Sequence, residues 1–400
     1  MKYRFLFFIM LPALCLNAQE EPKNWEFNGY VSLMGSHKKE IADTLIFPGG
    51  ENSHKDALIH NRLNFFWYPN ESFTFSVQAR NRIIYDETIS ENPGIDKLYE
   101  HDGGLISMSK NWFAEDDYIF NSNIDRLYVQ YTLGNFEISA GRQRINWSQS
   151  YAWNPNDIFN ASNYFDFDYP EKPGSDALRL QYYTGMLSSA QAVVKLDDKN
   201  NITAAGLFRF NLKGYDIQLL SGVVNEEEVV LGSGWSGNIK QIGFRGEVTS
   251  LFPYKDTSEY MHGMDNLFMA DLSFDYVFPN SASVLCEFLY ANNDIESLAS
   301  SFTSLFSSPV TIRSLAFSRL STLVSGTYPV HPLINVSVSG MFFYRITGMY
   351  FGSNVDFSLT DNLSLSAFVQ YFNMFLSKED VIQLDDMSIR YLFLRMKYNF

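Results

Sequence analysis

The sequence predicts an all-β chain, a transmembrane antiparallel β-barrel of about 18 strands (16–18), and three observations predict it. From Trp25 to the end, segments of about ten residues alternate apolar and polar side chains, the period of a strand with one apolar face. Tight turns alternate with long connections along the chain, as a barrel that crosses a bilayer requires. Aromatic residues make up 16% of the chain, yet no stretch beyond the N-terminus offers the ~18 consecutive apolar residues of a membrane-spanning helix. The apolar half of the chain must therefore be one face of its strands.

The ends agree with this. Lys2 and Arg4 precede an apolar run from Phe5 to Leu16 and a small-residue exit at Asn17-Ala18-Gln19, the pattern of a secretory signal cleaved after Ala18. Residues 1–18 are thus read as signal peptide and 19–400 as one barrel domain. Cleavage leaves 30 − 2 = 28 basic residues against 45 acidic ones, a net charge of 28 − 45 = −17, which argues against nucleic acid as a partner. Cys286 alone survives cleavage, so no intramolecular disulfide is available. At the other end Leu392, Leu394, Met396, Tyr398 and Phe400 form an apolar row. This alternating strand with a terminal aromatic resembles the closing strand of bacterial outer-membrane β-barrels, which implies recognition by the barrel-assembly machinery.

The strands follow in order. WEFNGYVSL starts at Trp25; LIHNRLNFFWY sets Ile59, Leu63, Phe65 and Trp67 against His60, Arg62 and Asn64. Pro69-Asn70-Glu71-Ser72 turns the chain into FTFSVQARNRIIY, and Gly134-Asn135 separates IDRLYVQYTL from FEISAGRQ. Later turns fall at Pro279-Asn280, His331-Pro332 and Thr360-Asp361-Asn362. Between them lie long connections at 37–57, 87–121, 146–176, 251–263, 292–312 and 374–386. These are expected to be extracellular loops, and the tight turns periplasmic. Counting from both ends demands a returning strand between 215–225 and 239–250, and the glycine-rich VVLGSGWSG from Val229 to Gly237 is the candidate. Strand number is then even, as in single-chain bacterial barrels.

Polar positions of alternating strands line the bore. Arg62, Arg80, Arg82, Arg126, Arg179 and Arg209 make one wall basic, while Asp271, Asp275, Glu287 and Asp356 make the opposite wall acidic, beyond a mixed pair at Arg245 and Glu247. Charged walls set the ion and solute preference of pores. Strict alternation would send Arg142 into lipid, so a bulge at Gly141 is expected to turn Arg142 and Arg144 inward. The connection 146–176 carries Trp147, Trp153 and other aromatics with Asp157, Asp166 and Asp168. So apolar a loop is expected to fold into the barrel mouth as a constriction, its carboxylates toward the arginines. The contrasting reading places its rings in the outer interfacial girdle.

GRQRINW (Gly141 to Trp147), WNPNDIFN (Trp153 to Asn160), PGSDALRLQYY (Pro173 to Tyr183) and GWSGNIKQIGFRGE (Gly234 to Glu247) resemble stretches of Gram-negative porin-like barrels of the alginate-export and solute-selective kind. The resemblance implies an outer-membrane pore of about 18 strands and leaves its solute open; the basic wall and the connection 146–176 are what point to passive diffusion of small hydrophilic solutes, anionic or carbohydrate, in a barrel surrounded by outer-membrane lipid and lipopolysaccharide. An outer-membrane lipase would need an assembled Ser, His and acid. Five of the six histidines fall in predicted loops or turns and His60 points inward beside Arg62, so no enzyme is expected. An adhesin or receptor built on the acidic connection 87–121 is the remaining alternative. No metal or cofactor motif is present.

Overall fold

The structure, a computed structural model, describes residues 23–41, 51–91, 94–162, 164–165, 169–254, 265–292, 310–344, 348–374 and 387–400. The expected signal at 1–18 lies outside them. The strands are β1 (Trp25–Ile41), β2 (Glu51–Asn70), β3 (Phe73–Asp86), β4 (Ser109–Glu115), β5 (Tyr118–Leu133), β6 (Phe136–Gln143), β7 (Ser175–Gly185), β8 (Ser188–Leu196), β9 (Ile202–Leu212), β10 (Tyr215–Val224), β11 (Glu228–Ile239), β12 (Ile242–Pro253), β13 (Leu267–Val277), β14 (Ser283–Ala291), β15 (Leu320–His331), β16 (Ile334–Phe343), β17 (Gly348–Ser358), β18 (Leu363–Met374) and β19 (Met387–Asn399), with a short helix α1 (Ile95–Glu100) before β4.

All but β4 close into an 18-stranded antiparallel barrel. Each strand pairs with its sequence neighbours, and β1 pairs with both β2 and β19. Gly29 and Phe400 exchange two backbone hydrogen bonds of 3.0 Å at the seam, and a Cβ on Gly29 would meet the Arg62 carbonyl oxygen at 2.2 Å. Closure leaves the 18-stranded wall without a free edge across the belt, so its backbone groups there are satisfied without water. The glycine-rich strand required by parity is β11, paired with β10 and β12 along its length.

Outside, the exposed rows are Leu178 and Leu180 on β7, Phe342 on β16, Phe351 on β17, Leu392 and Leu394 on β19 and their equivalents, a surface suited to hydrocarbon rather than water. The rim that carries the short turns, here the lower rim, has a ring of aromatics in pairs. Phe136 and Tyr182 lie 4.5 Å apart, Phe73 and Tyr131 4.7 Å, and Phe27 and Phe400 6.2 Å. Such rings suit the boundary between lipid and water.

Two features depart from a plain cylinder. The expected connection 37–57 is largely strand, with β1 and β2 in register from Trp25↔Trp67 to Ile41↔Glu51. Polar side chains such as Lys38 and His54 still alternate there, so the ladder continues past the apolar belt. And β6 is short: β5 pairs with β6 over Leu127–Leu133 but with β4 over Tyr118–Asn123. The position in the wall that β6 vacates toward the upper rim is filled by a strand from another connection.

Candidate functional site

The described residues between β6 and β7, 144–162, 164–165 and 169–174, lie across the bore as a strap. Both ends are tied together at their base. Arg144 donates to Asp157 at 2.7 Å and to the Asn160 carbonyl at 2.8 Å, while Asn160 accepts from the Ile145 N–H at 3.0 Å and donates to Ser175 at 2.9 Å. Asp157 is wholly buried, and desolvation pushes its carboxyl up to about 7 although Arg144 pulls it down.

On the acidic side the wall grips the strap by its backbone. Glu287 accepts from the N–H groups of Tyr151 (3.2 Å), Ala152 (3.0 Å) and Trp153 (2.8 Å). Glu247 accepts from Gln149, from Ser150 at 3.0 Å and from Asn156 at 2.8 Å. A connection without regular structure has backbone donors to satisfy when buried, and two ionisable acceptors do so here. Asn156 also donates to the Ser233 carbonyl (3.0 Å) and accepts from Thr249 (2.7 Å). The weak sequence of β11 is explained at this point: a Cβ on Gly232 or Gly234 would meet the Asn156 amide at 2.6 or 3.1 Å.

On the basic side the strap's return is held by arginines. Arg126 donates to the carbonyls of Glu171 and Lys172, both at 2.7 Å. The Arg80 guanidinium lies 4.0 Å from the centre of the Tyr169 ring, whose hydroxyl donates to Asp125 at 2.5 Å. Asp125 also pairs with Arg62 at 2.7 Å, and Glu171 lies 3.8 Å from Arg62 and accepts from Tyr30 at 3.3 Å. Asp125 reaches inward because β5 carries one extra residue there: Gln78 faces Arg126 while Ala79 faces Ile124. The bulge puts two consecutive charged side chains inside.

Between these grips the bore is filled with apolar side chains. Trp147, Trp153, Phe159 and Phe165 from the strap pack with Leu251, Met269, Leu289, Leu323, Met341 and Phe372 from the wall. Phe165 sits 4.9 Å from Tyr350 and 5.1 Å from Phe372. Burial of each large apolar side chain stabilises by roughly 1.5–3 kcal/mol, so the strap is part of the folded body rather than a tethered lid.

The structure thus places Trp147, Trp153 and Asp157 inside the barrel; Asp166 and Asp168 lie outside the described residues. Of the arginines, Arg62, Arg80, Arg82, Arg126, Arg179 and Arg209 project from the inner wall and Arg144 turns into the strap. Several are not bare charges: Arg144 pairs with Asp157 and Arg179 with Glu137 at 2.5 Å, because a crowded interior neutralises its ions. Two expectations are corrected. Pairing of β6 with β5 and β7 runs through Gly141 without a register shift, so no bulge inverts Arg142. Instead Arg142 is covered by residues 102–106 and neutralised by Asp102 and Asp176, each at 2.6 Å. Nor does all of the acidic wall face an open bore: Asp271 and Glu287, with Glu247 beside them, are wholly buried against the strap, while Asp275 and Asp356 are half-buried. Among the described residues Arg126 takes the strap's carbonyls and Arg80 its Tyr169 ring, while Glu171 lies 3.8 Å from Arg62. Sequence reading missed Asp125, and its basic wall left out the inward Lys397, whose Nζ lies 3.9 Å from the centre of the Tyr30 ring. The adjacent charges of Asp125-Arg126 inside an alternating strand were the available signal.

A closed antiparallel barrel with an apolar exterior and a strap folded into its bore defines a porin-type architecture. No protein-family profile matches the sequence, and no curated protein matches it. Among solved structures, the chain is similar to Acinetobacter baumannii OccAB3 (TM-score 0.57, 9% identity, 94% of this chain and 100% of that one). It is likewise similar to Pseudomonas aeruginosa OccK5 (OpdH) (0.56, 10%, 93% and 98%) and to A. baumannii OccAB4 (0.55, 9%, 94% and 98%). These are outer-membrane porins with 18-stranded barrels. At such identities the likeness is one of fold.

Proposed function

We propose that this protein is a channel of the outer membrane, exported by a signal at 1–18, through which small hydrophilic solutes diffuse passively. One observation carries the reading: a connection crosses the bore of a closed barrel and is anchored on both walls, so the remaining passage is narrowed and lined by chosen side chains. The passage follows the wall that the strap grips only by its return, along β19, β1, β2 and β3, where Arg82, Lys397 and Glu171 project and the buried Arg62 and Arg80 lie behind them. This predominantly basic lining favours anionic or carbohydrate solutes. Lipid and lipopolysaccharide surround the barrel in this reading, and the closing strand with Phe400 is what the assembly machinery engages.

An adhesin on the upper rim would need no strap inside the bore. Single-channel recording in planar bilayers tests the proposal: purified protein should give discrete conductance steps, and a protein that inserts without conducting defeats it.

A further inference from the structure

On the upper-rim side of Arg80 and Tyr30 a cavity of ≈ 220 Å³ opens between β1, β2, β3, β19 and α1. Met34, Leu58, Ile84 and Phe393 form an apolar half, with Tyr99 beside them; Ser36, Asp56, Arg82 and Asp86 form the other. Asp56 and Asp86 are direct cross-strand partners, and like charges directly opposite each other destabilise a sheet. Their hydrogen bonds come from neutral donors, the Ser36 hydroxyl to Asp56 at 2.8 Å and the Thr88 N–H and hydroxyl to Asp86 at 2.8 and 2.7 Å. The nearby cations have other partners. Arg82 donates to Asn121 at 2.8 Å and lies over the Tyr99 ring, and Lys38 is paired with Glu40.

We infer that this cavity binds an organic ammonium ion, a primary amine carrying a small apolar or aromatic body. The ammonium group, with its three donors, sits between the two carboxylates and relieves their repulsion, and the body packs on Phe393, Leu58 and Ile84. A carboxylate ligand would add a third negative charge, and a neutral polyol would leave the repulsion in place. Because the site lies in front of the basic passage, an amine held there occupies the mouth without being favoured beyond it. The assignment goes beyond the channel reading and does not depend on it.

The test is calorimetry on the full-length barrel in detergent at neutral pH with three matched probes: phenethylamine, 2-phenylethanol and phenylacetate. The amine should bind at least about tenfold more tightly than the alcohol, and the acid should not bind. Asp56→Asn with Asp86→Asn should weaken the amine by about tenfold or more and close the gap to the alcohol. Phe393→Ala should weaken phenethylamine more than methylammonium. Equal binding of amine and alcohol, or an unchanged amine affinity in the double variant, overturns the inference. Should the double variant fail to fold, the amine-to-alcohol ratio of the unaltered chain decides. Absence of conductance would leave this result standing, so the two proposals fail separately.

Discussion

Single side chains in this barrel act through the company they keep. Arg82 borders the proposed passage and Arg80 lies buried beside it; each is steadied by an aromatic ring, Tyr99 and Tyr169, a contact that leaves the positive charge in place. Arg80→Glu with Arg82→Glu is therefore expected to move ion preference toward cations, read as a shift in reversal potential under a salt gradient; an unchanged preference removes these two residues from selectivity. Glu247 and Glu287 work differently, as acceptors for backbone N–H groups of the strap. Hydrogen bonds to a charged acceptor contribute about 1.5–3 kcal/mol each, and a neutral amide accepts more weakly. Glu247→Gln with Glu287→Gln should loosen the strap, raising conductance and its noise while the barrel keeps its heat-resistant mobility on gels.

Elements are decided by what they must accommodate. The glycines of β11 weaken it as an isolated strand, and tertiary neighbours explain them: the strap's Asn156 stands where a side chain would go at Gly232 and, with Gln218, at Gly234, and Tyr215 does so at Gly237. Gly234→Val is expected to displace Asn156 and open the passage without unfolding the wall, visible as a larger single-channel step. The strap also carries a titratable group outside the strands. Asp157 has its folded-state value raised from 3.8 to about 7, so the protonated form suits the strap. Its stabilising contribution is whole in acid below the ordinary value and is lost as pH rises through about 7. Conductance should rise between about pH 5 and about pH 8, and Asp157→Asn should flatten the profile; a flat profile in the unaltered chain refutes this role.

At the scale of the molecule, closure makes a cylinder whose outside is apolar and whose inside is filled on one side only. The mature chain should require detergent for solubility and give a circular dichroism spectrum dominated by β-structure. A soluble or helical chain would refute the membrane reading. Fold class was legible because alternation and parity are local properties: side chains two apart share a face, and a single-chain barrel must return as often as it departs. These rules recovered β11 from an unpromising segment. They did not reveal Asp125, because a bulge breaks the alternation on which the rule rests. They also misjudged Arg142, because nothing within β6 announces that residues 102–106 will cover it. What the sequence by itself determined is the barrel, its turns and the face each regular strand presents, since each follows from neighbours in the chain. Only the tertiary structure decided how the strap is held, which charges are neutralised and where the bore stays open, because those depend on contacts between residues tens to more than a hundred positions apart.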